Sequence, residues 1–181
     1  MPKIIEHLRE NILASAKSHI LSDGYRALTI RDIAEDCGIA AGTVYNYFSS
    51  KEDVVIAVQI DDWSIALENM RVKIAGVQTL SEGLYAVRDE IVAFSDIYRT
   101  MWDQSPAMVG ARGRFAERHV TIVHQIERVL QPLVERTFPK APPMSALFLA
   151  ENVLITTNSS ELTLEMVVEM LAGIEHYSNW K

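Results

Sequence analysis

The side chains best suited to recognition chemistry in this chain lie between Thr29 and Lys51. Thr and Tyr hydroxyls donate to phosphate oxygens, an aromatic ring or a methyl group touches a thymine methyl, and a cation at a helix start sits close to a nucleic-acid backbone. Thr29, Thr43, Tyr45, Asn46, Tyr47 and Lys51 supply that set within a short stretch. Bond-making chemistry has no comparable cluster. No nucleophile, base and orienting acid assemble from local motifs, and there is no glycine-rich phosphate loop or cofactor fingerprint, so the sequence predicts neither an enzyme nor a cofactor. His119 and His124 are five residues apart and off a common helical face, while His124 with Glu127 makes only two ligands; no metal site is expected. Cys37 is the single cysteine, which rules out an internal disulfide and fits a small buried hydrophobe better than a redox sensor.

The elements that must hold these groups are legible in Ile30 to Ser49, which reads as two short helices joined by a tight glycine turn. Ala34 lets two helices approach, Gly38 can take the positive φ that reverses the chain, and Val44 lies where the second helix buries a side chain. Ile33, Cys37 and Ile39 fill the wedge. A helix-turn-helix with a polar and aromatic second helix points to DNA.

Around it the apolar period is helical throughout. Ile4, Ile5, Leu8, Ile12, Leu13, Ala16, Ile20 and Leu21 make one face of a first helix, ended by Asp23-Gly24. Thr29 with Asp32 resembles a capping box, the short second helix of the motif runs from about 40 to 48, and Ser49-Ser50 with Glu52 and Asp53 open a long helix to about Lys73. Residues 76–81 interrupt the period. Further helices follow to near Ser105-Pro106, from about 113 to 137 with Pro132 suggesting a kink, from Met144 to about Thr157 and from Glu161 to about Tyr177.

Nine of the twelve residues from Met144 to Ile155 are apolar, so that helix is expected to be buried on both sides. It is either a central core helix or one shared between the core and a second subunit; the sequence favours a symmetric homodimer, with Leu147, Glu151, Leu154, Ile155, Met166 and Met170 facing the partner. Phe94, Tyr98, Met101, Trp102, Met108, Phe115, Met144 and Phe148 are either ordinary core or the lining of an apolar pocket that Met side chains make adaptable.

The chain has 181 residues, 49% of them hydrophobic, with no low-complexity tract and no apolar run that would span a bilayer. Charges interrupt the N-terminus where a signal peptide needs its apolar stretch, so a cytoplasmic protein without a membrane partner is expected. The net charge is −7, and residues 1–55 hold six Lys or Arg against eight Asp or Glu. Duplex binding must therefore use a few positioned cations, hydroxyls and helix N-termini rather than a basic surface.

The stretch from Ser22 to Asp53, with Gly24-Tyr25, the Thr29 start, Gly42-Thr-Val-Tyr-Asn-Tyr-Phe48 and Ser50-Lys-Glu52, closely resembles the N-terminal DNA-binding domain of TetR-type transcriptional regulators. The resemblance implies an all-α homodimer: a helix-turn-helix three-helix domain over 1–50, then a helical ligand-binding and dimerisation bundle over 51–181. It further implies a double-stranded DNA operator, repression by default, and release by a small-molecule effector of unknown identity. Carried over by position, Thr29 contacts phosphate, Gly42, Thr43 and Tyr45 face DNA, and Asn46, Tyr47 and Lys51 add groove or backbone contacts. Ala40 and Ala41 depart from the pattern, which commonly has Ser and then a polar or basic residue there. Discrimination would then rest on Arg31 and Asn46 as well. Tyr47 either packs the small domain or reaches phosphate. The rival reading is a helical protein-interaction module that kept the shape and lost specific DNA binding, which the acidic balance and Ala40-Ala41 favour.

Overall fold

The computed structural model describes residues 7–104 and 113–178, with the side chains of 100–104, 113–117, 158 and 174–178 left out of that description. The described chain is all-α: α1 Leu8–Ser22, α2 Ile30–Asp36, α3 Ala41–Tyr45, α4 Lys51–Gly76, α5 Leu80–Gln104, α6 Gly113–Thr137, α7 Ser145–Asn158 and α8 Leu164–Ser178. No described helix is long and apolar enough to cross a membrane. The described residues divide into two compact units, 7–64 with 97–104 and 65–96 with 113–178, so α4 and α5 each contribute to both.

In the first unit, α1 buries Ile12, Leu13, Ala16 and Ile20 at the expected three- and four-residue spacing, and leaves Leu21 exposed. Ile4 and Ile5 lie outside the described residues. The Thr29 hydroxyl accepts from the Asp32 amide at 3.2 Å and donates to the Asp32 carboxylate at 2.7 Å, a cap closed on itself. Helix α3 is shorter than the sequence period suggests. The amides of Tyr47 and Phe48 both turn to the Val44 carbonyl, at 3.0 Å each, so the regular ladder ends early. At the start of α4 the Ser50 hydroxyl accepts from the Asp53 amide at 3.1 Å, with Glu52 and Asp53 in the first turn, where the helix dipole favours negative charge.

The second unit is held by Leu84, Val87 and Ile91 of α5, Val123, Ile126, Leu130 and Leu133 of α6, and Leu149, Ala150 and Val153 of α7. Helix α4 runs three residues beyond the expected end because Arg136 donates to the carbonyls of Ile74 and Val77, at 3.2 and 2.9 Å, satisfying groups a helix end leaves open. Glu82 accepts from the amides of Gln78 and Thr79, and Thr79 Oγ1 from the Glu82 amide, a reciprocal cap that starts α5. Pro132 sits inside α6 without ending it. Helix α8 begins at Leu164, not Glu161. Ser159 Oγ accepts from the amides of Glu161 and Leu162, holding that segment in a turn, and the Thr163 hydroxyl caps the helix that follows.

Helix α7 departs from expectation in a way that matters. Ala146, Leu149, Ala150 and Val153 are buried, whereas Phe148 and Ile155 are exposed, as are Leu162, Met166 and Met170 in and before α8. Among the described residues, only one side of this nearly all-apolar helix is covered.

Candidate DNA-binding interface

The α2–α3 turn is built from local contacts. Cys37 and Gly38 amides donate to Ile33 and Glu35 carbonyls, the Ile39 amide to Ala34, and Gly38 takes φ 64°, the left-handed region a Cβ disfavours. Ile33, Ala34 and Val44 close the wedge as fully buried side chains, with Cys37 and Ile39 half-buried beside them. Burial pushes the Cys37 thiol up, with the Asp36 charge adding to it, which disfavours the thiolate.

Helix α3 presents its other side outward. Ala40 lies at its N-cap and supplies no side-chain hydrogen bond. Tyr45 is 54% exposed and Tyr47 48%, and neither hydroxyl, nor the Asn46 amide, has a hydrogen-bond partner among the described residues. Tyr47 is thus no core residue, although its neighbour Phe48 is. Gly42 is exposed, has no positive φ, and a Cβ built there would meet nothing within 4 Å. Nothing inside the protomer asks for glycine at that point. Arg31 and Thr29 are exposed, Thr43 and Ala41 half-buried.

Two of the expected contacts have internal work that the sequence did not reveal. The Lys51 ammonium donates to the carbonyls of Tyr25 and Leu28, at 2.8 and 2.9 Å, and lies 4.2 Å from the Tyr25 ring centre. Burial lowers its pKa. Lys51 pins the α1–α2 turn to the start of α4, leaving one of its three donors for anything outside. The Tyr25 hydroxyl completes that staple by donating to Glu52 at 2.8 Å. The Thr29 proton is likewise committed to Asp32, so a phosphate contact there requires the cap to open.

A charged cluster fixes α1 against α2. Asp36 accepts from the Ser15 hydroxyl at 2.7 Å and lies 2.9 Å from His19 Nε2, while His19 Nδ1 is 3.5 Å from Asp23. Burial pulls the His19 pKa down, but the bonds to Asp36 and Asp23 and the charges of Asp36 and Asp32 outweigh it, and the net shift is upward from 6.5. A raised histidine pKa contributes stability that is complete below the unfolded value and is lost as pH rises through the folded one. The His19 ring protons should therefore titrate by NMR with a midpoint above 6.5, and Asp36→Asn should lower it; an unchanged midpoint in that variant would remove the pair from the account.

The residues expected to line a pocket are distributed differently. Tyr98 is fully buried and its hydroxyl donates to Asp62 at 2.5 Å, Phe94 is half-buried, and Met144 and Phe148 stand exposed on the surface. Met144, in the left-handed region at φ 70°, borders a cleft of about 290 Å³ formed with Val134, Phe138, Pro142 and Ala146. Met108 lies outside the described residues, as do the side chains of Met101, Trp102 and Phe115. Among the dimer candidates, Glu151 faces His119 at 3.0 Å within the protomer, Leu147 and Leu154 are half-buried, and Ile155, Met166 and Met170 are exposed.

Fold and surface together define a helix-turn-helix unit followed by a helical unit. Residues 12–58 match the model of the bacterial regulatory proteins, tetR family. The transcriptional regulator UidR of Escherichia coli K12 is 32% identical over 69 residues, 38% of this chain and 35% of UidR. The transcriptional repressor KstR2 of Mycolicibacterium smegmatis is 40% identical over 57 residues, 30% of this chain and 28% of KstR2. The chain thus matches about a third of the length of these curated relatives. A structure of the transcriptional regulator FadR from Bacillus subtilis, in complex with stearoyl-CoA, superposes with TM-score 0.54 over 82% of this chain and 84% of its own, at 19% identity, a likeness of fold. Residues 12–58 of the chain are thus similar to the DNA-binding region of the tetR family of bacterial regulatory proteins.

Proposed function

We propose that this protein is a sequence-specific DNA-binding transcriptional regulator, a repressor that binds a palindromic operator as a homodimer and leaves it when a small molecule occupies the helical region after residue 50. The observation that carries the reading is the outer side of α3 and the turn that follows it: Gly42, Tyr45, Asn46 and Tyr47 are exposed together, and neither tyrosine hydroxyl has a partner within the described chain. Exposed polar and aromatic groups on the second helix of such a motif are placed for a major groove. Homodimer formation is supported by the uncovered apolar residues Phe148, Ile155, Leu162, Met166 and Met170, which a second copy of α7 and α8 would bury.

Gly42 offers a test in which two effects oppose each other. A glycine in the middle of a helix costs roughly 0.5–1 kcal/mol relative to alanine; Gly42 is in the first turn of the short α3, so the low end of that range applies, and no internal contact requires it here. Gly42→Ala should raise the unfolding free energy by about that amount while weakening operator binding, because the added methyl stands where the DNA backbone approaches. A variant that is both more stable and equally tight on DNA would place Gly42 outside the interface.

Two recognition helices must sit about 34 Å apart to enter successive major grooves. A ligand that shifts α4 would change that separation, with a coupling of typically ~1–3 kcal/mol. The direct experiment is selection of bound duplexes from a random pool at near-physiological salt. An enriched palindrome supports the regulator, and the operator it supplies can then be titrated against effectors, stearoyl-CoA among the first since it is the ligand of the B. subtilis neighbour. No enrichment from a folded dimer favours the protein-interaction module.

A further inference from the structure

A duplex binds through cations, and this acidic chain has few to spare. Within the described part of the first fifty-five residues they are Arg9, Lys17, Arg26, Arg31 and Lys51. Lys17 is held 2.6 Å from the buried Asp62 carboxylate. Lys51 spends two donors on the carbonyls of Tyr25 and Leu28. Arg9, in the first turn of α1, is exposed, and its guanidinium carbon lies 5.7 Å from the centre of the Phe48 ring. Phe48 is buried and fixed, its amide bonded to Val44 at 3.0 Å, and it follows directly on the exposed Tyr47. A guanidinium resting on an aromatic face keeps its planar fork of N–H donors at the edge, free to meet a phosphate with two parallel hydrogen bonds. The neighbouring Glu10 points elsewhere, since adjacent residues on a helix do not share a face.

We propose that Arg9, positioned on Phe48 at the C-terminal end of α3, is a phosphate-binding residue of the DNA interface and fills the cationic role that the sequence assigned to Lys51. The assignment rests on the DNA-binding reading above, and Arg9 lies before the family-matched stretch of residues 12–58. Its contact carries no base information, so it sets affinity and register without setting sequence preference.

The test is fluorescence anisotropy with the selected operator and with a scrambled duplex, between 50 and 300 mM KCl, on wild type, Arg9→Gln and Arg9→Lys. Arg9→Gln should weaken both duplexes by a similar factor and reduce the slope of log K against log salt by about 1 per subunit, roughly 2 per dimer. Arg9→Lys should keep most of the slope and lose part of the affinity, because an ammonium neither forks nor stacks as a guanidinium does. A folded Arg9→Gln dimer with the wild-type slope overturns the assignment and leaves the regulator reading standing. So does a preference between the duplexes that collapses with the variant, since that would make Arg9 a base reader. Wild-type protein that binds neither duplex at any salt overturns both.

Discussion

On the proposed regulator reading, Tyr45→Ala should lose specific operator binding while the protein keeps its fold and the proposed dimer. Tyr45 is the last residue of α3, 54% exposed, with its hydroxyl unpartnered among the described residues, so truncation removes little burial and no internal hydrogen bond. A surface substitution of this kind changes stability by about 0.5 kcal/mol or less. On DNA the loss is larger. A direct base contact is worth about 1–3 kcal/mol, and a symmetric dimer makes it twice, so the expected weakening on a palindrome is about 30-fold or more. Binding to scrambled duplex, which depends on phosphates, should change far less. Anisotropy titrations on both duplexes, with sedimentation to confirm the dimer, read the two effects apart. Unchanged operator affinity would take α3 out of the mechanism.

The second large effect is on stability. Asp62 is 8% exposed and accepts from the Lys17 ammonium at 2.6 Å and from the Tyr98 hydroxyl at 2.5 Å, joining α1, α4 and α5 within the first unit. A carboxylate taken so far out of water is tolerated because both oxygens are engaged. Burial, then the hydrogen bond and charge of Asp62, push the Tyr98 phenol well above the usual tyrosine range, which favours the protonated donor. Asp62→Ala removes the acceptor 2.5 Å from a fully buried hydroxyl and leaves a void where the carboxylate stood. Lys17 is 38% exposed and can return to water, which moderates the loss. We expect a destabilisation of about 2–3 kcal/mol in urea unfolding, and roughly 1 kcal/mol for Tyr98→Phe, which keeps the ring and the Lys17 pair. An Asp62→Ala variant within about 0.5 kcal/mol of wild type would show that the pair is not structural.

What the sequence determined by itself is the part of the molecule whose causes are local. The Thr29 cap with Asp32, the positive φ at Gly38, the burial of Val44 and the Ser50 cap all act within about one helical turn of their cause, so residue type and spacing suffice to read them. The same locality let the end of α6 at Thr137 be read correctly beyond Pro132. Tertiary structure decided what the charged and apolar side chains do once these elements meet. Lys51 looked like a free cation at a helix start, and it faces inward because the α1–α2 turn brings two carbonyls to it from more than twenty residues away. Tyr98 had the pattern of a pocket residue and is instead closed off on Asp62, thirty-six positions earlier. Arg9 carried no signal at all until folding laid Phe48 against it. Such pairings leave no periodic trace in a sequence, because they depend on which faces pack, and the apolar pattern fixes that each face is buried without fixing its neighbour. Helix α7 shows the same limit: its composition required cover on both sides, and only the fold shows that the described residues cover one.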